Sequence, residues 1–206
     1  MEEHIEKTIE TYENTAEWYE DTHNDIEVMK KQADRFLDRV SGEKILDVGC
    51  GPGRDAEYFS EKGMNVTGID LTERFLEIAS EKVPEANFVK MDMREIEFKE
   101  NSFDGIWCCA SLLHIPKEEA SEVLKQFHDV LEEEGIIFLA VKHGKGEERV
   151  QKDHYDGGEK FFVYYQQKEI ENMVEDSGFE IISSEIEGGE TSSDDWVQIM
   201  AKADKD

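Results

Sequence analysis

From Ile26 onward, Ile26, Met29, Ala33, Phe36, Leu37 and Val40 fall on one helical face, and Ser41-Gly42 stops the run. The first forty residues as a whole read as helical. An alternation then begins. KILDVG is a short apolar strand, and RDAEYFSEKG a helix closed by Gly63. NVTGID is a second strand, after which Thr72 is placed to cap a helix that runs through Val83 until Pro84 ends it. NFVKMD and SFDGIWCCA are the third and fourth strands. Pro116 leads into KEEASEVLKQFHDVLEEEG, where Ala120, Val123, Leu124, Phe127 and Leu131 form one stripe. IIFLAVK is the fifth strand. Beyond Lys142 the period is lost. HGKGEERVQKDHYDGGEK reads as a loop or lid, FFVYY as a short extended piece and KEIENMVEDSG as a helix. FEIISSEIEG and WVQIMAKA, joined by a turn rich in Gly, Ser and Asp, read as an antiparallel hairpin.

Strand–helix alternation of this kind predicts an α/β fold, a parallel sheet covered by helices on both faces. The expected architecture is a Rossmann-like doubly wound sheet of seven strands, mostly parallel, with an antiparallel C-terminal edge strand. No linker or repeat divides it. The chain reads as one domain, with a helical cap at residues 1–41 and a core at residues 42–206.

Composition narrows the partners. The 206 residues include 51 acidic and 23 basic ones, for a net charge of −28. Nucleic-acid binding needs Lys and Arg to displace phosphate counterions, so DNA and RNA are poor partners for this acidic chain. The acids are spread along the chain, which fits a well-solvated surface or one adapted to a salty cytoplasm. MEEHIEKTIE has neither the basic nor the apolar region of a signal peptide. No run approaches the roughly 18 apolar residues of a membrane span. Cys50, Cys108 and Cys109 have no metal-ligand spacing, and neighbours in a strand point to opposite faces. A cytoplasmic protein that touches no membrane is the expectation.

Chemistry concentrates in ILDVGCGPGRDA, residues 45–56. In open α/β sheets, ligands sit beyond the carboxyl ends of the strands, where strand order reverses. Gly49-Cys50-Gly51-Pro52-Gly53 follows the first strand. Asp70 ends the second, where a carboxylate can accept both hydroxyls of a ribose. Asp92 ends the third and Met93 follows, a pair suited to an adenine amine and its flat ring. The dinucleotide fingerprint G-x-G-x-x-G is not matched by G-C-G-P-G-R-D-A, which makes a nicotinamide-dependent oxidoreductase a poor reading. Asp47 beside the loop would repel a pyrophosphate and favour a cationic ligand. A nucleoside carrying positive charge fits best.

These blocks resemble the class I S-adenosylmethionine-dependent methyltransferases. The resemblance rests on ILDVGCGPG, VTGID with LTERFLEIA, FVKMDMREIEF, FDGIWCCASLLHIP and LKQFHDVLEEEGIIFLAV, in that order. It implies S-adenosyl-L-methionine as cofactor, with Gly49, Cys50 and Gly51 passing backbone under its methionine part. Asp47 would face its amino group through water, and Asp70 its ribose diol beside Leu71. Asp92 and Met93 would frame the adenine, Ala110 would offer a carbonyl, and Arg54 would pair with the cofactor carboxylate or remain a surface arginine. TYENTAEWYED resembles the aromatic lead-in of small members, in which Tyr12, Trp18 and Tyr19 close over the cofactor, unless they simply pack as an aromatic helix face.

Methyl transfer demands alignment more than a fixed catalytic constellation. His114, after the fourth strand, is the candidate to take a proton or orient the acceptor, or else it bonds to backbone and shapes the loop. His143, His154 and Tyr155 are placed to line an acceptor pocket, and one of Tyr164 and Tyr165 to face it. No metal is expected. The Asn/Asp-Pro-Pro-aromatic tetrapeptide of many nucleic-acid amino-methylating enzymes is missing; Ala110-Ser111-Leu112-Leu113 stands there. The expected acceptor is a small molecule. A regulatory cofactor binder without transferase activity, or an enzyme acting on a basic protein or peptide, are the alternatives.

Overall fold

The computed structural model describes residues 3–188 and 195–205. Three helices open the chain: α1 (Glu3–Asn14), α2 (Ala16–His23) and, after a 3-10 turn at Ile26–Val28, α3 (Lys30–Leu37). The alternating core follows as β1 (Lys44–Val48), α4 (Arg54–Glu61), β2 (Asn65–Asp70), α5 (Glu73–Lys82), β3 (Asn87–Lys90) and β4 (Phe103–Cys109). Then come α6 (Lys117–Val130), β5 (Leu131–Lys142), β6 (Gly146–Val150), β7 (Lys160–Tyr164), α7 (Gln167–Asp176), β8 (Phe179–Glu187) and β9 (Trp196–Ala203).

Seven strands form one sheet in the order β3-β2-β1-β4-β5-β9-β8. The first five are parallel; β9 slots between β5 and β8 and is antiparallel to both. Most of the turn expected between the last two strands lies outside the described residues. Strand order reverses between β1 and β4, which opens the crevice above Val48 and Cys109.

Period-2 burial explains why both faces of the sheet are covered. Leu46, Val48, Ile106, Cys108 and Leu139 belong to one core under α6 and α7, whereas Ile45, Trp107 and Phe138 belong to the other with Phe36 and Phe59. Trp107 stacks on Phe138 at 4.1 Å between centroids. Cys108 and Cys109 fall on opposite faces, and all three thiols are free. Among the described residues no helix is long and apolar enough to cross a membrane.

Four local expectations are corrected. GEERV, read as loop, is β6, an antiparallel partner of β7. Its first four residues are exposed, so it leaves no apolar alternation to read. LEEEG, read as helix end, starts β5, since Leu131 already pairs with Phe103. β3 ends at Lys90, leaving Asp92 and Met93 in the following loop. Thr72 makes no side-chain cap on α5; Glu13 of α1 does that work, accepting from the Glu73 and Arg74 backbone N–H groups.

The cap is fastened by threonines. Thr8 and Thr11 lie on the buried face of α1, each bonding a carbonyl one turn back. Thr8 Oγ1 accepts from the Phe161 N–H at 2.9 Å, and the single Thr11 hydroxyl proton is shared between the Lys7 and Glu159 carbonyls, each at 2.8 Å. Helix α1 and the β6–β7 ribbon therefore form one roof over the crevice.

Candidate active site

The loop after β1 is shaped by its neighbours. The Gly49 and Cys50 N–H groups donate to the Ile69 carbonyl at 2.8 and 3.1 Å. Gly49 and Gly51 have φ of 68° and 52°, the left-handed region that L side chains avoid. A Cβ at Gly49 would stand 2.3 Å from the Ser111 Cβ, so the two loops touch backbone to side chain.

Asp70 locks the loop to the second strand. Its Oδ2 accepts from the Gly51 N–H at 3.0 Å and its Oδ1 from the Thr72 N–H at 2.8 Å. Burial pushes its carboxyl up, against the opposing pull of those N–H groups. Each oxygen keeps a lone pair for a ligand hydroxyl.

Asp47 is buried with Oδ2 unpartnered among the described residues. Burial and the nearby Asp55 carboxylate hold its carboxyl well above the usual range, only partly offset by Arg54. Such a group is suited to an incoming cation.

The crevice has two compartments. The first, of about 120 Å³, is lined by Asp70, Leu71, Met91, Asp92 and Met93, with Ile69 and Phe75 as apolar walls. Burial pushes Asp92 up, but hydrogen bonds from Arg94 outweigh that and hold it below the usual carboxylate range. The second, of about 470 Å³, spreads from Cys50, Pro52 and Arg54 to the ribbon. Tyr12, Tyr19, Gly49, Gly51, Ala110 and His114 border both. Ala110 has φ of 59°, a strained turn at the shared wall.

All the candidate cofactor residues, Tyr19, Asp47, Gly49, Cys50, Gly51, Arg54, Asp70, Leu71, Asp92, Met93 and Ala110, thus gather around one crevice; Asp47 alone lies beneath its lining. Arg54 faces the second compartment, yet its fork is committed to Asp55, with Nε and Nη2 donating at 2.7 and 2.9 Å. Asp55 is buried and also accepts from Trp107 Nε1 at 2.9 Å, so it requires that counter-charge.

His114 ties three elements together. Its Nδ1 donates to the Phe161 carbonyl at 2.6 Å, and the Tyr12 hydroxyl therefore donates to Nε2 at 3.1 Å. Burial pushes the ring down to about 4, against the pull of the Phe161 carbonyl, so it is neutral at ordinary pH with its lone pair directed at Tyr12.

Among the other polar candidates, His154 and Tyr155 line the second compartment, and Trp18 stacks on His154 at 4.3 Å. His143 pairs through backbone with Tyr165 and is not in the lining. Neither tyrosine of the expected pair faces the site: the Tyr164 hydroxyl donates to Glu148, and Tyr165 is buried in the core. Sequence reasoning missed Lys160 and Phe162, which do line it. The available signal was alternation, since residues 160, 162 and 164 share one face of β7. Among the described residues no group of three or more His, Cys, Asp or Glu could hold a metal ion.

Residues 45–135 match a family described as a methyltransferase domain. The chain is similar to YqeM of Bacillus subtilis, 40% identical over 103 residues, 48% of this chain and 42% of that protein. It is similar to a ubiquinone biosynthesis O-methyltransferase of Pseudomonas aeruginosa, 33% identical over 107 residues, 49% and 45% of the two chains. The chain spans about half the length of the curated relatives it matches. A solved Burkholderia thailandensis 1,6-didemethyltoxoflavin-N1-methyltransferase, with bound 1,6-didemethyltoxoflavin and S-adenosylhomocysteine, superposes with a TM-score of 0.78 at 19% identity. That match covers 97% of this chain and 88% of the other, and carries the fold.

Proposed function

We propose that the chain, whose residues 45–135 match a methyltransferase-domain family, is a class I S-adenosylmethionine-dependent methyltransferase that transfers the methyl group of S-adenosyl-L-methionine to a small-molecule acceptor by in-line displacement. The observation that carries this reading is the pair of adjoining compartments, one with the chemistry for a nucleoside and one with room for a second molecule. A purely regulatory cofactor binder has no need of the second.

The residues fit the cofactor. The unpartnered Asp47 Oδ2 suits its ammonium, Asp70 its ribose diol, and Met93 with Asp92 its adenine. The bound cofactor supplies a methyl on a sulfonium whose thioether leaves without charge. Asp70 and the Gly49–Gly51 backbone fix the nucleoside; Tyr12 and Tyr19 stand at the boundary and exclude water from it. His114 acts by holding Tyr12 in place, because its lone pair is already taken. The acidic surface disfavours a nucleic-acid acceptor.

One prediction concerns Asp47. Its folded pKa lies above the ordinary carboxylate value, so its contribution to stability is present at low pH and is lost as pH rises through the folded pKa. Asp47→Asn is therefore expected to melt higher than wild type at pH 7.5 without cofactor. Its affinity for S-adenosylhomocysteine should fall about tenfold, since a neutral amide cannot balance the ammonium. Thermal melts and titrations on the two proteins check both signs.

Incubation with methyl-labelled S-adenosylmethionine, pooled small metabolites and Lys/Arg-rich peptides tests the acceptor class. Label in the small-molecule fraction is expected. Label on peptide alone would overturn the small-molecule reading, and intact cofactor binding without any transfer would favour a regulatory protein.

A further inference from the structure

Lys160 opens β7 and is 2% exposed, with its side chain under α1. Its Nζ stands 3.5 Å from the Tyr12 ring centroid, 4.4 Å from that of Tyr155 and 5.5 Å from that of Tyr19. Three aromatic faces can hold a cation, but they do not replace a counter-charge in a water-poor site. Among the described residues no carboxylate lies within ion-pair distance of it. Burial, and then the neighbouring Lys152, push the amine down to about 7.

The surroundings deepen the imbalance. Four cationic side chains line the second compartment, Arg54, Lys142, Lys152 and Lys160, against the carboxylates of Asp55 and Glu187. Arg54 and Asp55 pair with each other within this lining, and Glu187 is also engaged by Gln32 at 2.7 Å and Lys31 at 3.6 Å, so three lysines stand against one carboxylate that is already bonded. In a chain where acids outnumber bases 51 to 23, the described lining of this compartment is richer in basic than in acidic side chains. A low-dielectric cleft of one sign concentrates ligands of the other.

We propose that the acceptor carries an anionic group, a carboxylate or an acidic hydroxyl on a small planar molecule, and that Lys160 holds that group against the boundary with the cofactor. The planar body follows from the aromatic lining by Trp18, Tyr155, Phe162 and Trp196. This rests on the methyltransferase reading, in which the sulfonium adds a further positive charge to the same crevice. Lys160 is a positioning and specificity residue: it aims the acceptor, and the anion neutralises the lysine. The cofactor's own carboxylate is the rival anion. Lys160 reaches the compartment from the ribbon, whereas Asp47 and the Gly loop belong to β1 and the turn after it, and the titrations below separate the two anions.

Salicylate and salicylamide, equal in size and different in charge, test the assignment by titration into protein saturated with S-adenosylhomocysteine. Wild type is expected to bind salicylate at least about tenfold more tightly than salicylamide. Lys160→Met and Lys160→Gln are each expected to bring the two ligands within about twofold, while S-adenosylhomocysteine affinity stays within about twofold of wild type. Variants that bind S-adenosylhomocysteine normally are folded, so a lost preference is then a lost charge. Equal binding of the two probes by wild type, no binding of either, or a preference that survives both substitutions overturns the proposal and leaves the methyltransferase reading intact. A matching loss of S-adenosylhomocysteine affinity assigns Lys160 to the cofactor carboxylate and equally overturns it. If wild type binds no S-adenosylhomocysteine, both readings fall.

Discussion

Asp70→Asn is expected to weaken S-adenosylhomocysteine binding about a hundredfold, because hydrogen bonds to a charged acceptor contribute roughly 1.5–3 kcal/mol each. Both carboxylate oxygens already accept backbone N–H groups, from Gly51 and Thr72. An amide in the same place turns its NH2 toward one of these donors, so one loop anchor is lost together with an acceptor for the ribose. The substitution keeps the size of the side chain and removes a buried carboxylate, so the apo fold should not suffer in proportion. Titration with S-adenosylhomocysteine beside a thermal melt separates the two effects. A loss below about threefold would mean that the diol is held elsewhere.

Gly49→Ala is expected to damage the protein through its backbone. A left-handed φ costs an L residue roughly 1–2 kcal/mol. The new methyl would also enter the Ser111 side chain, 2.3 Å from its Cβ. Ser111 cannot yield freely, since it is buried and its Oγ donates to the Val48 carbonyl at 2.6 Å. Overpacking of this kind adds about 1–3 kcal/mol. A melting temperature lower by about 10 °C follows for a domain of this size, with cofactor affinity reduced as the loop shifts. Gly63→Ala is the control, because its φ is 86° but nothing lies within 4 Å of the added Cβ. Equal losses for the two variants would show that the contact with Ser111 is immaterial.

The parts of the site that were legible in the sequence are those where backbone geometry dictates residue type. Glycine is favoured at the left-handed φ of Gly49 and Gly51, and a carboxylate at the end of β2 is the simplest clamp on a diol, so the spacing from 45 to 70 carries its own meaning. The parallel order of β1 to β5 is legible for a related reason: buried strands must be continuously apolar. What escaped reading is held by pairings that leave little compositional trace. GEERV is a strand because β7 offers it backbone partners, not because of any apolar alternation. Thr8 and Thr11 look like surface residues until the ribbon arrives to use their hydroxyls. Lys160 looks like an ordinary strand-end lysine, and its burial depends on α1, some 150 residues earlier in the chain (160 − 12 = 148 to Tyr12). The insertion of β9 between β5 and β8 is likewise set by packing, since either order satisfies the same hairpin pattern.

Calorimetric titration of the purified protein with S-adenosylmethionine, S-adenosylhomocysteine and NADH, at low and high salt, is the measurement that bears most directly on the cofactor assignment. The two adenosyl compounds are expected to bind with micromolar-range Kd, about −8 kcal/mol, and NADH not to bind. Absence of binding by either adenosyl compound to folded protein, or binding of NADH in their place, would contradict the assignment.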